Sequence, residues 1–205
     1  MKYYYFISGL EDVKLEDSKL PKTLFGLKQE LEDVLSEEDY QLMKMIFLQY
    51  DNQNLLNVLE NNQNHVLNEL GMFSLQDLME FIQQIKEDEN VNNDKIPDYF
   101  RLFIPDYLSG NKQEEISWEN HLSSLYYDYA IKSNNKFLSN WFEFNLNVNN
   151  ILSAIISRKF GFNIQNSIIG NNEIAENIRT TNSRDFGDLM PENKDIFKQD
   201  FLLLE

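Results

Sequence analysis

Apolar residues recur three and four positions apart along much of this chain, the spacing of one face of an α-helix. They fall at Leu42, Met45 and Ile46 after Ser36, with Met43 and Phe47 beside them. After Ser74 they fall at Leu75, Leu78, Met79, Ile82 and Ile85, and after Ser117 at Leu122, Leu125, Tyr126 and Tyr129. A serine ahead of each run can accept from the backbone N–H groups that a first helical turn leaves unpaired. Glu37, Glu38 and Asp39 in the first of these turns, and Asp77 three residues after Ser74, suit the positive end of a helix dipole. Residues 96–108 carry Pro97 and Pro105, which predicts one short helix or two turns, with Pro97 at the start and Pro105 stopping or kinking it. The polar stretches 87–95 and 109–115 predict exposed loops. Residues 3–7 are the one candidate for a short strand or an extended arm. The pattern predicts an all-α protein.

Residues 50–59 can be laid over residues 146–155. Both read as a short polar residue, two spacers, Asn, two large aliphatics, two spacers and another aliphatic, which pairs Asp51 with Asn147 and Asn54 with Asn150. Each copy follows an aromatic-rich stretch, and the second runs into Arg158, Lys159 and Gly161, cations and then glycine where a helix ends. An Asp or Asn at the first position can accept from backbone N–H groups where a helix restarts, and an Asn three residues on can bridge back or reach a neighbouring helix. Asp51 and Asn147 are therefore expected at the starts of equivalent helices, although 26 dispersed Asn residues make coincidence a competing explanation. The repeat divides the chain into similar helical units at 1–112 and 113–205.

Composition narrows the chemistry. Of 205 residues, 42% are apolar, enough for a sizeable core, and 18 Lys plus Arg against 34 Asp plus Glu give a net charge of −16. Such a surface repels phosphate, which disfavours nucleic acid and anionic lipid as direct partners. The absence of Cys removes disulfides, thiol catalysis and thiolate metal sites. His65, near Glu60 and Glu69, and His121, beside Leu122 and Leu125, are the two histidines; the first reads as surface and the second as half-buried with one hydrogen bond. The acidic runs 87–89 and 114–115 read as solvated faces. Asp185-Phe186-Gly187 copies the kinase magnesium tripeptide, but no Gly-rich phosphate loop or G-x-x-x-x-G-K-[ST] accompanies it, so it reads as a turn. The start MKYYYFISGL meets Glu11 and Asp12 at once, unlike a secretory leader, and no apolar run is long enough to span a bilayer. A cytoplasmic protein is expected, held at any membrane by another subunit.

The aromatic, Asp-x-x-Asn-Leu and Arg-Lys pattern resembles the repeated helix signature of the C (d) subunit of V/A-type rotary ATPases. More closely, YYYFISGL at the start, YDNQNLL at 50–56, NWFEFNLNVNNILSAIISRKFG at 140–161, SIIG at 167–170 and DFG at 185–187 resemble an uncharacterised bacterial family whose genes sit within V-type ATPase operons. The resemblance implies an all-helical, non-catalytic connector between central stalk and membrane ring, with no cofactor or metal and with the other ATPase subunits as partners. The C subunit has three helical repeats where this chain shows two. Residues 201–205, FLLLE, end inside an apolar run, so a truncated C-terminus is expected.

Trp141, Phe142 and Phe144, with Tyr126, Tyr127 and Tyr129 upstream, form an aromatic concentration that serves either as core between neighbouring helices or as an anchor for a partner. Arg158 and Lys159 either neutralise a helix end or pair with an acid such as Asp51. The favoured expectation is a C-like ATPase subunit. Its rivals are a general helical adaptor and, last, a hydrolase with a carboxylate-bound metal.

Overall fold

A computed structural model describes residues 3–14, 18–60, 66–88, 91–112 and 116–180. Among these residues the regular structure is helical, in nine helices, with no strand. The chain forms two compact units, Met1–Pro105 and Asp106–Glu205, dividing within a helix and ahead of residue 112.

Unit 1 contains α1 (Tyr4–Ser8), α2 (Leu24–Val34), α3 (Glu37–Leu59), α4 (Leu75–Glu87) and most of α5 (Asp98–Ser109). The serine caps form as their spacing predicts. The Ser36 side chain accepts from Asp39 N, and Ser74 with Asp77 closes a reciprocal capping box ahead of α4. The aromatic run at residues 3–7 is a helical turn rather than a strand. No neighbouring strand among the described residues offers it a ladder, and the Tyr3 hydroxyl ties it instead to Ser36 and Asp39 at the head of α3. Pro105 neither stops nor divides α5, which continues to Ser109. Proline removes one backbone hydrogen bond, but Phe100, Phe103 and Ile104 are fully buried and hold the helix against the core. That core also takes in Leu55 of α3 and Leu78, Phe81 and Ile85 of α4. Phe73 meets Phe81 edge-on at 5.0 Å, and the buried Tyr99 hydroxyl donates to Asn52 Oδ1 at 2.6 Å.

Unit 2 contains α6 (Trp118–Ile131), α7 (Lys136–Phe160), α8 (Ile164–Ser167) and α9 (Glu173–Thr180). Ser117 caps α6 as expected, accepting from Asn120 N. A short connection returns α7 against α6; Leu122, Tyr126 and Ala130 of α6 and Leu138, Phe142 and Leu146 of α7 are buried, and the Tyr126 and Phe142 rings meet. Farther along α7, Ile151 and Ala154 pack with Ile168, Ala175 and Ile178, which covers one side of its second half with α8 and α9. No helix among the described residues is long and apolar enough to cross a membrane.

Candidate functional site: a repeated asparagine clamp and an aromatic helix face

Asp51 and Asn54 lie one turn apart in the middle of α3, and Asn147 and Asn150 lie one turn apart in the middle of α7. The expectation that Asp51 and Asn147 start their helices is therefore corrected. Neither helix breaks there, and both side chains leave their own helix to bond the segment that returns from it.

In unit 1, Asn54 Oδ1 accepts from Asn68 N at 2.7 Å and its Nδ2 donates to Asn68 O at 3.1 Å. In unit 2, Asn150 Oδ1 accepts from Ile169 N at 2.9 Å and its Nδ2 donates to Ile169 O at 2.8 Å. Each asparagine thus satisfies both backbone groups of one residue in the returning segment, as a neighbouring strand would. Both side chains are about 1% exposed. An amide carries donor and acceptor in one plane and meets this demand, which a carboxylate or a lysine does not.

The first member of each pair fixes the entry to the next helix. Asp51 accepts from Met72 N through both oxygens, at 3.0 and 2.8 Å, and from Phe73 N at 3.0 Å, immediately before the Ser74 cap of α4. Asn147 Oδ1 accepts from Asn172 Nδ2 at 2.7 Å, and Asn172 Oδ1 in turn accepts from Ala175 N in the first turn of α9. Unit 1 therefore uses a carboxylate where unit 2 uses a neutral amide relay. Asp51 is fully buried, and that burial pushes its carboxyl up from 3.8 to about 6, against the pull of the two backbone N–H groups and the charges of Lys28 and Lys44. Lys28, itself buried, donates to Gly71 O at 2.6 Å. Gly71 is glycine for want of space: a Cβ there would stand 2.6 Å from Asn54 Nδ2 and 2.8 Å from Asp51 Oδ1.

The aromatic residues of α7 divide between core and surface. Phe142 is 4% exposed and meets Tyr126 edge-on at 5.6 Å, so it belongs to the core. Trp141 is 44% exposed, Phe144 is similarly open, and Phe137, one turn before Trp141, is more so. The rings of Phe137 and Trp141 are stacked at 6.5 Å. Residues 137, 141 and 144 share one face of α7 by helical spacing, so Phe137 replaces Phe142 in the outward set. Arg158 and Lys159 stand in the last turn of α7, before Gly161 in the left-handed conformation at φ 72°.

A cavity of about 480 Å³ in unit 2 is bordered by Asp106, Lys112, Asn120, His121 and Arg179. His121 Nε2 is 3.0 Å from Asp106 Oδ2, Lys112 lies over the Trp118 ring, and the Arg179 guanidinium donates to Ile168 O, Gly170 O and Glu176. These groups hold one another and the returning segment in place. Among the described residues, no group of three or more His, Cys, Asp or Glu is placed to hold a metal ion. His65, Glu89, Glu114, Glu115, the Asp185-Phe186-Gly187 tripeptide and residues 201–205 lie outside the described residues.

The sequence pattern picked out Asp51, Asn54, Asn147 and Asn150 but not their partners Asn68, Ile169 and Asn172, nor Lys28 and Gly71. No curated protein and no solved structure matches the chain. The profile of a family described as "Protein of unknown function (DUF2764)" matches residues 1–200, and the chain belongs to that family.

Proposed function

We propose that this chain is a non-catalytic subunit of a V/A-type proton- or sodium-translocating rotary ATPase, a C-like connector between the central stalk and the membrane ring. The observation that carries the reading is the duplicated clamp: two long helices, each locked by an Asn to the backbone of the segment that follows it. A connector that passes torque works through rigidity and shape, and repeated helical units with pinned returns supply both. The resemblance of the clamp-bearing motifs to the C subunit points the same way.

The outward aromatic face of α7, Phe137, Trp141 and Phe144, is the partner contact in this reading, because exposed aromatics supply much of the energy of protein interfaces. Electrostatics select a basic partner. Residues 1–105 hold 9 Lys plus Arg against 20 Asp plus Glu, a net of −11, and residues 106–205 hold 9 against 14, a net of −5. An acidic surface raises the association rate with a basic stalk end, and salt screens the effect.

The test mixes full-length protein with the stalk subunit encoded in the same operon. A complex at low salt that weakens as salt rises, and that weakens about tenfold or more on Trp141→Ala, is the expected result. No complex at low salt moves the assignment to a general helical adaptor. A phosphatase or ATPase activity lost on replacing one carboxylate moves it to the hydrolase reading.

A further inference from the structure

The second half of α7 and the segment after it differ in charge from the rest of the chain. From residue 144 to residue 172 there is no Asp or Glu, and Arg158 and Lys159 are the only charged residues, in a protein that carries 34 acids. This stretch ends α7 on an open apolar tip. Phe160 is 63% exposed and Phe162 is 61% exposed, with Ile156 half open one turn before Phe160. Lys159 is exposed between them.

The tip has a built geometry. Gly161, left-handed at φ 72°, turns the chain back so that Phe162 N bonds Ser157 O at 2.8 Å, the closing bond of a helix C-terminal motif. In such motifs the residue after the glycine commonly packs against the helix it has just left. Here the turn lays the Phe162 ring on the Phe160 ring, stacked at 5.9 Å and 25°, and the pair faces outward. Two exposed aromatics, an exposed aliphatic and adjacent cations on an acid-free stretch match the chemistry of a bilayer interface, where rings enter the headgroup level and Lys or Arg meets anionic lipid.

We propose that this tip, Ile156, Lys159, Phe160 and Phe162 with Arg158, is a contact for the surface of an anionic lipid bilayer. The net charge of −16 opposes such a contact only over distances that salt does not screen. At physiological ionic strength the screening length is about 8 Å, so distant acids act little on the tip, and within residues 144–172 the charges are both positive. The exposed Lys159 and two rings, with Arg158 half-buried beside them, give a weak, reversible contact. The proposal is independent of the rotary-ATPase assignment, and either can fail without the other.

The test is co-sedimentation of full-length protein with vesicles of phosphatidylcholine alone and of phosphatidylcholine with about 30% phosphatidylglycerol. Expected is binding to the anionic vesicles at physiological ionic strength, weaker binding at high salt, and little on the neutral ones. The double variant Phe160→Ser, Phe162→Ser should lower binding about tenfold or more. Lys159→Glu, which keeps the rings, should lower it several-fold. Trp141→Ala should leave it unchanged, and because the altered residues are exposed, thermal melts should stay as in the wild type. The lipid proposal is overturned if wild-type protein ignores anionic vesicles at physiological ionic strength, or if both tip variants sediment like wild type. It is equally overturned if wild type ignores vesicles while the tip variants lose binding to a protein partner, which would make the tip a protein-docking face.

Discussion

Replacing Asp51 by Asn puts into unit 1 the side chain that unit 2 already carries at position 147, and its effect on stability should depend on pH in a calculable way. Asp51 is buried and its folded-state pKa is raised from 3.8 to about 6, chiefly by burial. The folded protein therefore binds a proton at this site more tightly than the unfolded chain. Its contribution to stability is fully present below about pH 3.8 and is lost as pH rises through 6. A rise from 3.8 to about 6 corresponds to about 3 kcal/mol in full, of which about 2 kcal/mol develops between pH 7 and pH 4.5. The amide in the Asp51→Asn variant does not titrate. Its NH₂ group would face the N–H groups of Met72 and Phe73, a loss of about 1–3 kcal/mol that offsets relief from the buried charge near neutral pH. The two proteins should thus be similar in stability at pH 7, with wild type ahead by about 2 kcal/mol at pH 4.5. Urea unfolding followed by far-ultraviolet circular dichroism at several pH values measures this difference, and the other acids cancel because both proteins share them. Parallel stability curves, or a wild type that gains on the variant as pH rises, would falsify the account, the latter because backbone bonds would then outweigh burial.

Asn54→Ala and Asn150→Ala should each destabilise by about 2–4 kcal/mol in urea unfolding, since each leaves both backbone groups of one returning residue unpaired. A neutral result for either would mean that the two clamps are alike in geometry but not in energy. Phe142→Ala should cost about 3–5 kcal/mol as a core truncation. Trp141→Ala, one residue earlier, should change stability by less than about 1 kcal/mol while weakening partner binding.

The capping serines were legible because a cap is a contact between residues three apart, wholly contained in the local sequence. Ser36, Ser74 and Ser117 each bond the N–H three residues on. The same locality explains what was not legible. The partners of Asp51, Asn54, Asn147 and Asn150 lie 14 to 25 residues away, and nothing in one sequence says which backbone group will arrive beside a given side chain. The motif was visible as spacing, while its placement at helix starts followed from assuming a local partner. Phe142 shows the limit for surfaces. Three aromatics within four positions look alike in sequence, and only the packing of α6 against α7 decides which of them turns inward. Residues 3–7 failed as a strand for a related reason, since a strand requires a second strand. A single turn of helix requires only itself and, here, a tyrosine hydroxyl anchored at Ser36.

The clamps also bear on how freely each long helix can change in length beyond the residue that grips. Asn54 grips a residue 14 positions on, and Asn150 grips one 19 positions on, with nearly the same two bond lengths. The five extra positions lie in the helix itself: α3 runs five residues past Asn54 and α7 ten past Asn150, and from either helix end the gripped residue is nine positions on. An asparagine that grips backbone rather than a particular side chain leaves the length of helix beyond it open, provided that the return still reaches the amide. In unit 2 the extra length carries α7 on to its Gly161 cap, so a unit can lengthen its long helix past the clamp while keeping the return that the clamp holds.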